Sequence, residues 1–185
     1  MLAAARSANP ARNGCMPFWN QDRSKHAPPR DAAAALAATV HSQIPDADDA
    51  TVRIVTAVAG LLAAVAYADR VFDPAEVMYV REAIGRIHGI TPAAQNAICG
   101  MLSSHLAELS SVHSHAFTRD LKRLTERNVR LEVLDVLVDL AAADGVIVLS
   151  EVNQLRQITT SLGLTQDDYN ASQARHIDKL EALKK

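Results

Sequence analysis

Aromatic side chains make up only 4% of this 185-residue chain. A core built on stacked rings is therefore excluded, and close packing of small and aliphatic side chains has to replace it. Cysteine is almost as scarce. Cys15 and Cys99 are the only two, too far apart for a metal-ligand or redox spacing. That excludes a disulfide scaffold and suits a reducing compartment, so a cytoplasmic location is expected. No apolar run reaches the roughly 20 residues of a membrane span. The longest, Ile54 to Ala68, has 15 residues and is bounded by Arg53 and Asp69, which reads as a central buried helix. A large positive charge is also missing: the net charge is −2, and nucleic acid is not an expected partner. There is no glycine-rich phosphate loop. Ser103, Ser104, Ser110 and Ser111 occur without a nucleophile-elbow sequence.

What is present is alanine, leucine, valine and isoleucine within an apolar fraction of 49%. Alanine is the best helix former, and no stretch shows the sustained period-two alternation of a half-buried strand. The expected fold is all-α, a compact bundle of seven to eight helices.

Residues 1–30 stand apart. Arg6, Arg12, Arg23, Lys25 and Arg30 face Asp22 alone, a net of +4, while the remaining residues carry 14 basic and 20 acidic side chains, a net of −6. The segment has no helical period. Its Ala-, Arg- and Ser-rich start has the composition of an organellar transit peptide without the amphipathic stripe, and a disordered basic tail is the simpler expectation. Met16 is an alternative start, which would leave Phe18 and Trp19 to dock on the core or on a membrane surface. The domain is expected over residues 31–185.

Helix signals follow in order. Asp31 caps a first helix to about Gln43, and Ile44-Pro45 breaks it. A second starts near Asp48-Asp49 and runs to about Ala68. Asp73-Pro74-Ala75-Glu76 opens a third with a capping-box-like arrangement, closed at His88-Gly89. Thr91-Pro92 opens a fourth to about Leu109, and residues 110–116 read as a connection. Further helices are expected over 117–126, 128–143 and 149–162. A last one, capped by Thr165, extends towards Lys184. The helices over 50–68 and 128–143 are expected to pack together at the centre.

Two stretches repeat. Ala66, Ala68, Asp69, Val71, Glu76 and Val77 correspond to Ala141, Ala143, Asp144, Val146, Glu151 and Val152, always 75 positions apart. One residue out of step, His88-Gly89-Ile90-Thr91 answers Leu162-Gly163-Leu164-Thr165. Such duplication predicts two pseudo-symmetric helix-loop-helix halves.

The loops also carry the acids. Asp144-Gly145-Val146-Ile147 with Glu151 matches the second half of an EF-hand calcium loop. Leu140 and Ala142 stand at the first two ligand positions, so an ordinary EF-hand is excluded and other ligands would have to complete a site. Glu132, Asp135 and Asp139 form a stripe that either extends this acidic face or is a solvated helix surface. Acids at helix starts also cap free N–H groups, and Asp73 with Glu76 needs no other explanation. His105, His113 and His115 crowd one region, but no cysteine or acid has the spacing of a closed zinc site.

With these motifs in view, AYADRVFDPAE, AAADGVIVLSE and the HGIT and LGLT endings resemble the TerB-like tellurite-resistance family over about Thr51 to His176. The domain of that family also resembles the N-terminal region of a membrane-anchored DnaJ-type co-chaperone. The resemblance implies an all-helical domain with no established enzymatic activity and a metal site at acids near the loops. Position by position those are Asp69, Glu76, Asp144 and Glu151. Arg70 departs from the glycine usual there, and its charge would weaken a cation site. The resulting expectation is a stress-resistance-associated interaction module that binds calcium, or another divalent cation, weakly. Its protein partner is unidentified, with a membrane-associated complex as one setting. A metal-dependent enzyme using the acids, and a ligand-free scaffold, are the alternatives.

Overall fold

The computed structural model describes residues 31–70, 73–112 and 114–181. The basic tail, the Met16 start, Phe18, Trp19, Val71 and His113 lie outside the described residues. Among those described there are eight α-helices: α1 (Ala32–Gln43), α2 (Asp49–Ala66), α3 (Pro74–Gly85), α4 (Pro92–Val112), α5 (Ser114–Leu124), α6 (Arg127–Ala141), α7 (Leu149–Ser161) and α8 (Gln166–Gln173). A short 3-10 segment, Ala174–Lys179, follows. The fold is the expected all-α bundle.

Local chemistry sets most helix starts. The carboxylates of Asp31, Asp48 and Asp73 accept backbone N–H bonds from Ala33, Thr51 and Ala75 at 3.1, 2.7 and 2.7 Å, satisfying donors that have no partner within the helix. Thr165 Oγ1 accepts from the Asp168 amide, and the Asp168 carboxylate returns the bond to the Thr165 amide at 2.8 Å.

The axis of the bundle is α2, which packs on every helix from α1 to α7. It is long and apolar enough to cross a membrane, but most of that stretch is buried inside the bundle, as a core helix requires. Ala57, Ala59, Ala63, Ala64 and Ala66 are buried along it, and their short side chains let neighbouring helices approach closely. Gly60 does this most sharply. A Cβ built there would lie 2.2 Å from Cε2 of Phe117, so the bare backbone is the seat of the Phe117 ring. The expected contact of α2 with α6 is present, and α5 and α4 flank α2 as well. Arg53 adds a fork-like pair to Asp120 at 2.6 and 3.2 Å, tying α2 to α5.

Two expectations are corrected. Residues 110–116 are not an open connection, because α4 runs to Val112 and α5 begins at Ser114. Ser103, Ser104 and Ser110 bond to the carbonyls of Cys99, Gly100 and Ala107, which accommodates polar residues inside a helix and tends to bend it. The bend falls at His105, whose φ of −129° and ψ of 21° are not helical. The last helix stops at Gln173 instead of extending towards Lys184. From there the chain turns back onto the loop between α6 and α7. Ile147 N–H donates to Lys179 O at 2.8 Å, and Glu181 N–H to Ile147 O at 3.1 Å. Non-local bonds override the local helical pattern.

Candidate functional site

The two repeated loops have the same backbone construction. After α2, Ala68 and Arg70 donate to the carbonyls of Val65 and Tyr67 at 3.0 and 3.1 Å. After α6, Ala143 and Gly145 donate to Leu140 and Ala142 at 2.9 and 3.1 Å. Each donor and acceptor is 75 positions from its counterpart. Both loops then pass through the left-handed region, at φ 67° for Arg70 and 93° for Gly145. Glycine adopts this without strain, whereas an L side chain costs about 1–2 kcal/mol there. Arg70 is the only non-glycine residue with positive φ among the described residues.

The helices that leave the loops start alike. Glu76 Oε2 accepts the Asp73 amide at 3.0 Å, and Glu151 Oε2 accepts the Val148 amide at 2.9 Å. In the first half Asp73 completes a reciprocal capping box. Val148 has no side-chain acceptor, so only the glutamate half of the box forms in the second. The capping role considered for these acids is therefore real, and it occupies one oxygen of each glutamate.

Capping does not account for where the glutamates sit. Glu76 and Glu151 are 6% and 5% exposed, while Asp69 and Asp144 lie at the surface. Asp144 Oδ1 accepts the Val146 amide at 2.9 Å, holding its loop in a tight turn. Burial, opposed by the backbone hydrogen bond, pushes the Glu76 carboxyl up to about 7, and the charges of Asp69, Asp144 and Asp73 add to the rise. Burial pushes Glu151 up to about 8, again against its backbone bond and with help from Glu76, Asp144 and Asp69. Among the described residues, the charged neighbours that shift the two glutamates are all acids. Each also feels acids of the opposite half, so the structure brings Asp69, Glu76, Asp144 and Glu151 into one electrostatic neighbourhood. It does not close them into a coordination shell. Among the described residues no three His, Cys, Asp or Glu side chains are grouped as metal ligands. The donor set is all oxygen, which suits a hard divalent ion, and completing a shell requires the exposed carboxylates to turn inward.

Asp135 and Asp139 of the α6 stripe are engaged elsewhere and do not extend this site. Asp135 accepts from Ser172 Oγ at 2.6 Å and pairs with Arg175 at 3.2 Å. Asp139 pairs with Arg175 at 3.0 Å and with His176 Nε2 at 2.7 Å. Lys179 Nζ donates to Ala142 O at 3.0 Å. The 3-10 segment is thus a basic strap across α6 and the second loop. In the sequence it looks like a continuation of α8, and the close spacing of Arg175, His176 and Lys179 was the signal for it. His105 Nδ1 lies 3.3 Å from Met101 O, and His115 Nε2 lies 3.5 Å from Gln157 Nε2; neither meets a metal-ligating partner among the described residues.

The family model for tellurite resistance protein TerB matches residues 55–174, which takes in both loops and all four acids. Comparison with curated proteins and with solved structures returns no significant match.

Proposed function

The chain belongs to the TerB family of tellurite resistance proteins, and from that premise we propose that it is a non-enzymatic interaction module whose paired loops respond to a hard divalent cation. The observation that carries this reading is the burial of Glu76 and Glu151, whose charged neighbours among the described residues are acids. Buried without a compensating charge, the two carboxyls hold their protons above the ordinary range, and a divalent ion would displace those protons and pair with both halves at once. Calcium is favoured over magnesium because it tolerates irregular geometry and a variable ligand number. Arg70 and the absence of a closed shell argue for weak binding, with Kd on the order of 10⁻⁴ M. The contact for a protein partner, in the cytoplasm or at a membrane-associated complex, would include exposed apolar residues just beyond the loops, Met78 at 64% and Leu149 at 66% exposure.

Calorimetry and thermal unfolding with calcium, magnesium and manganese test the proposal. Calcium should raise the melting temperature, because the ion selects the folded state. Asp144→Asn with Glu151→Gln should abolish that response. Asp69→Asn with Asp144→Asn should weaken it while leaving both glutamate caps in place. No binding heat and no shift with any of the three ions at millimolar concentration would reduce the acids to capping residues and leave a ligand-free scaffold.

A further inference from the structure

A cavity of about 440 Å³ lies beside the first loop, on ground the acidic cluster does not use. Ala64, Ala68 and Ala107 line it with small side chains, and Tyr67, Arg70, Ser110 and Gln154 supply polar groups. Ala68 and Arg70 line it while Asp69, between them, acts on Glu76 and Glu151. One tight turn therefore serves two sites. We propose that this cavity binds a small organic oxyanion, a carboxylate or a phosphate ester, with Arg70 as its recognition cation.

Three observations support this. First, the side chains of Arg70, Tyr67 and Gln154 come from the loop, the end of α2 and α7, yet converge on one cavity. All three are hydrogen-bond donors, and none has a side-chain partner among the described residues. Ser110 differs, since its hydroxyl already donates to Ala107 O at 3.1 Å, leaving its oxygen as an acceptor. Second, the backbone at Arg70 has the left-handed conformation that the matching loop gives to Gly145. An arginine here is not needed for the turn and strains it, so its use must come from the side chain. A guanidinium presents a planar fork that matches carboxylate and phosphate oxygens in pairs. Third, the volume falls within the range of about 300–1,000 Å³ typical of small-molecule pockets, enough for an organic acid or a phosphate ester. Asp69 follows directly on the pocket wall, and its charge opposes an anion, so affinity of roughly millimolar order is expected.

The test is titration of the ¹⁵N-labelled full chain with succinate, with glycerol 3-phosphate and with sodium chloride at matched ionic strength. Saturable shifts at the amides of Tyr67, Arg70 and Gln154 with succinate would assign a carboxylate site, and with glycerol 3-phosphate a phosphate site. Arg70→Gly should weaken binding at least tenfold and raise the melting temperature by relieving strain. Arg70→Lys should weaken it several-fold by losing the fork. Tyr67→Phe with Gln154→Ala should weaken it with Arg70 in place. Saturation by neither ligand, equal shifts with chloride, or undiminished binding by Arg70→Gly would each overturn the proposal. A lower melting temperature for Arg70→Gly would also overturn it, because the arginine would then be structural.

Discussion

Raising the pH from about 6 to about 8 should destabilise the metal-free protein through Glu76 and Glu151. Both carboxyls titrate well above their ordinary value of 4.5, at about 7 and about 8. Protonated in the fold and ionised in the unfolded chain, they favour the unfolded state as protons are withdrawn. The stability they allow is complete below pH 4.5 and is lost progressively as the pH rises through the two folded values. Together the two groups lose roughly 2 kcal/mol of stability over the step from pH 6 to 8. For a domain of this size that lowers the melting temperature by about 4–8 °C. The assay is calorimetric unfolding in a chelator at both pH values, for the wild type and for Glu76→Gln with Glu151→Gln. The difference between the two proteins isolates the glutamates from the histidines. A melting temperature that is flat or rising with pH relative to the double variant would refute the burial argument.

Other consequences are checked more simply by denaturant unfolding or hydrogen exchange. Gly60→Ala should destabilise by about 1–2 kcal/mol, because displacing the Phe117 ring outweighs the gain in helix propensity. Gly145→Ala meets no atom within 4 Å, so its loss of about 1–2 kcal/mol should come from the left-handed backbone alone. Arg175→Ala with His176→Ala should release the strap, seen as faster amide exchange at Ile147 and Glu181 with α2 unaffected.

Helix starts were legible in the sequence because capping is local. The Asp48, Asp73-Pro74-Ala75-Glu76 and Thr165 signals each mark an observed start within a residue. The duplication was legible too, and it returns as hydrogen bonds made twice, 75 positions apart. What the sequence hid is non-local. Glu76 and Glu151 were legible as first-turn acids and candidate ligands, but not their burial, which depends on packing across the fold. Asp135 and Asp139 read as an extension of the acidic face or a solvated stripe, because their partners Arg175 and His176 lie about 40 positions away. The identity of Arg70 was visible as a departure from glycine, but its place on a cavity wall depends on α4 and α7 arriving beside it.

The separation between the two halves also bears on the order of folding events. Each turn is closed by a bond spanning three residues, Glu76 to Asp73 and Glu151 to Val148, so both can form while the chain is otherwise open. The acids of the two turns confront one another only after some 75 intervening residues have been drawn into place, and contacts of such long range form late. Their repulsion therefore belongs to the native side of the barrier. An ion that relieves it should slow unfolding and leave the refolding rate unchanged, a shift confined to one arm of the chevron. The paired acids would then set how long a folded molecule lasts, and not how quickly it is made.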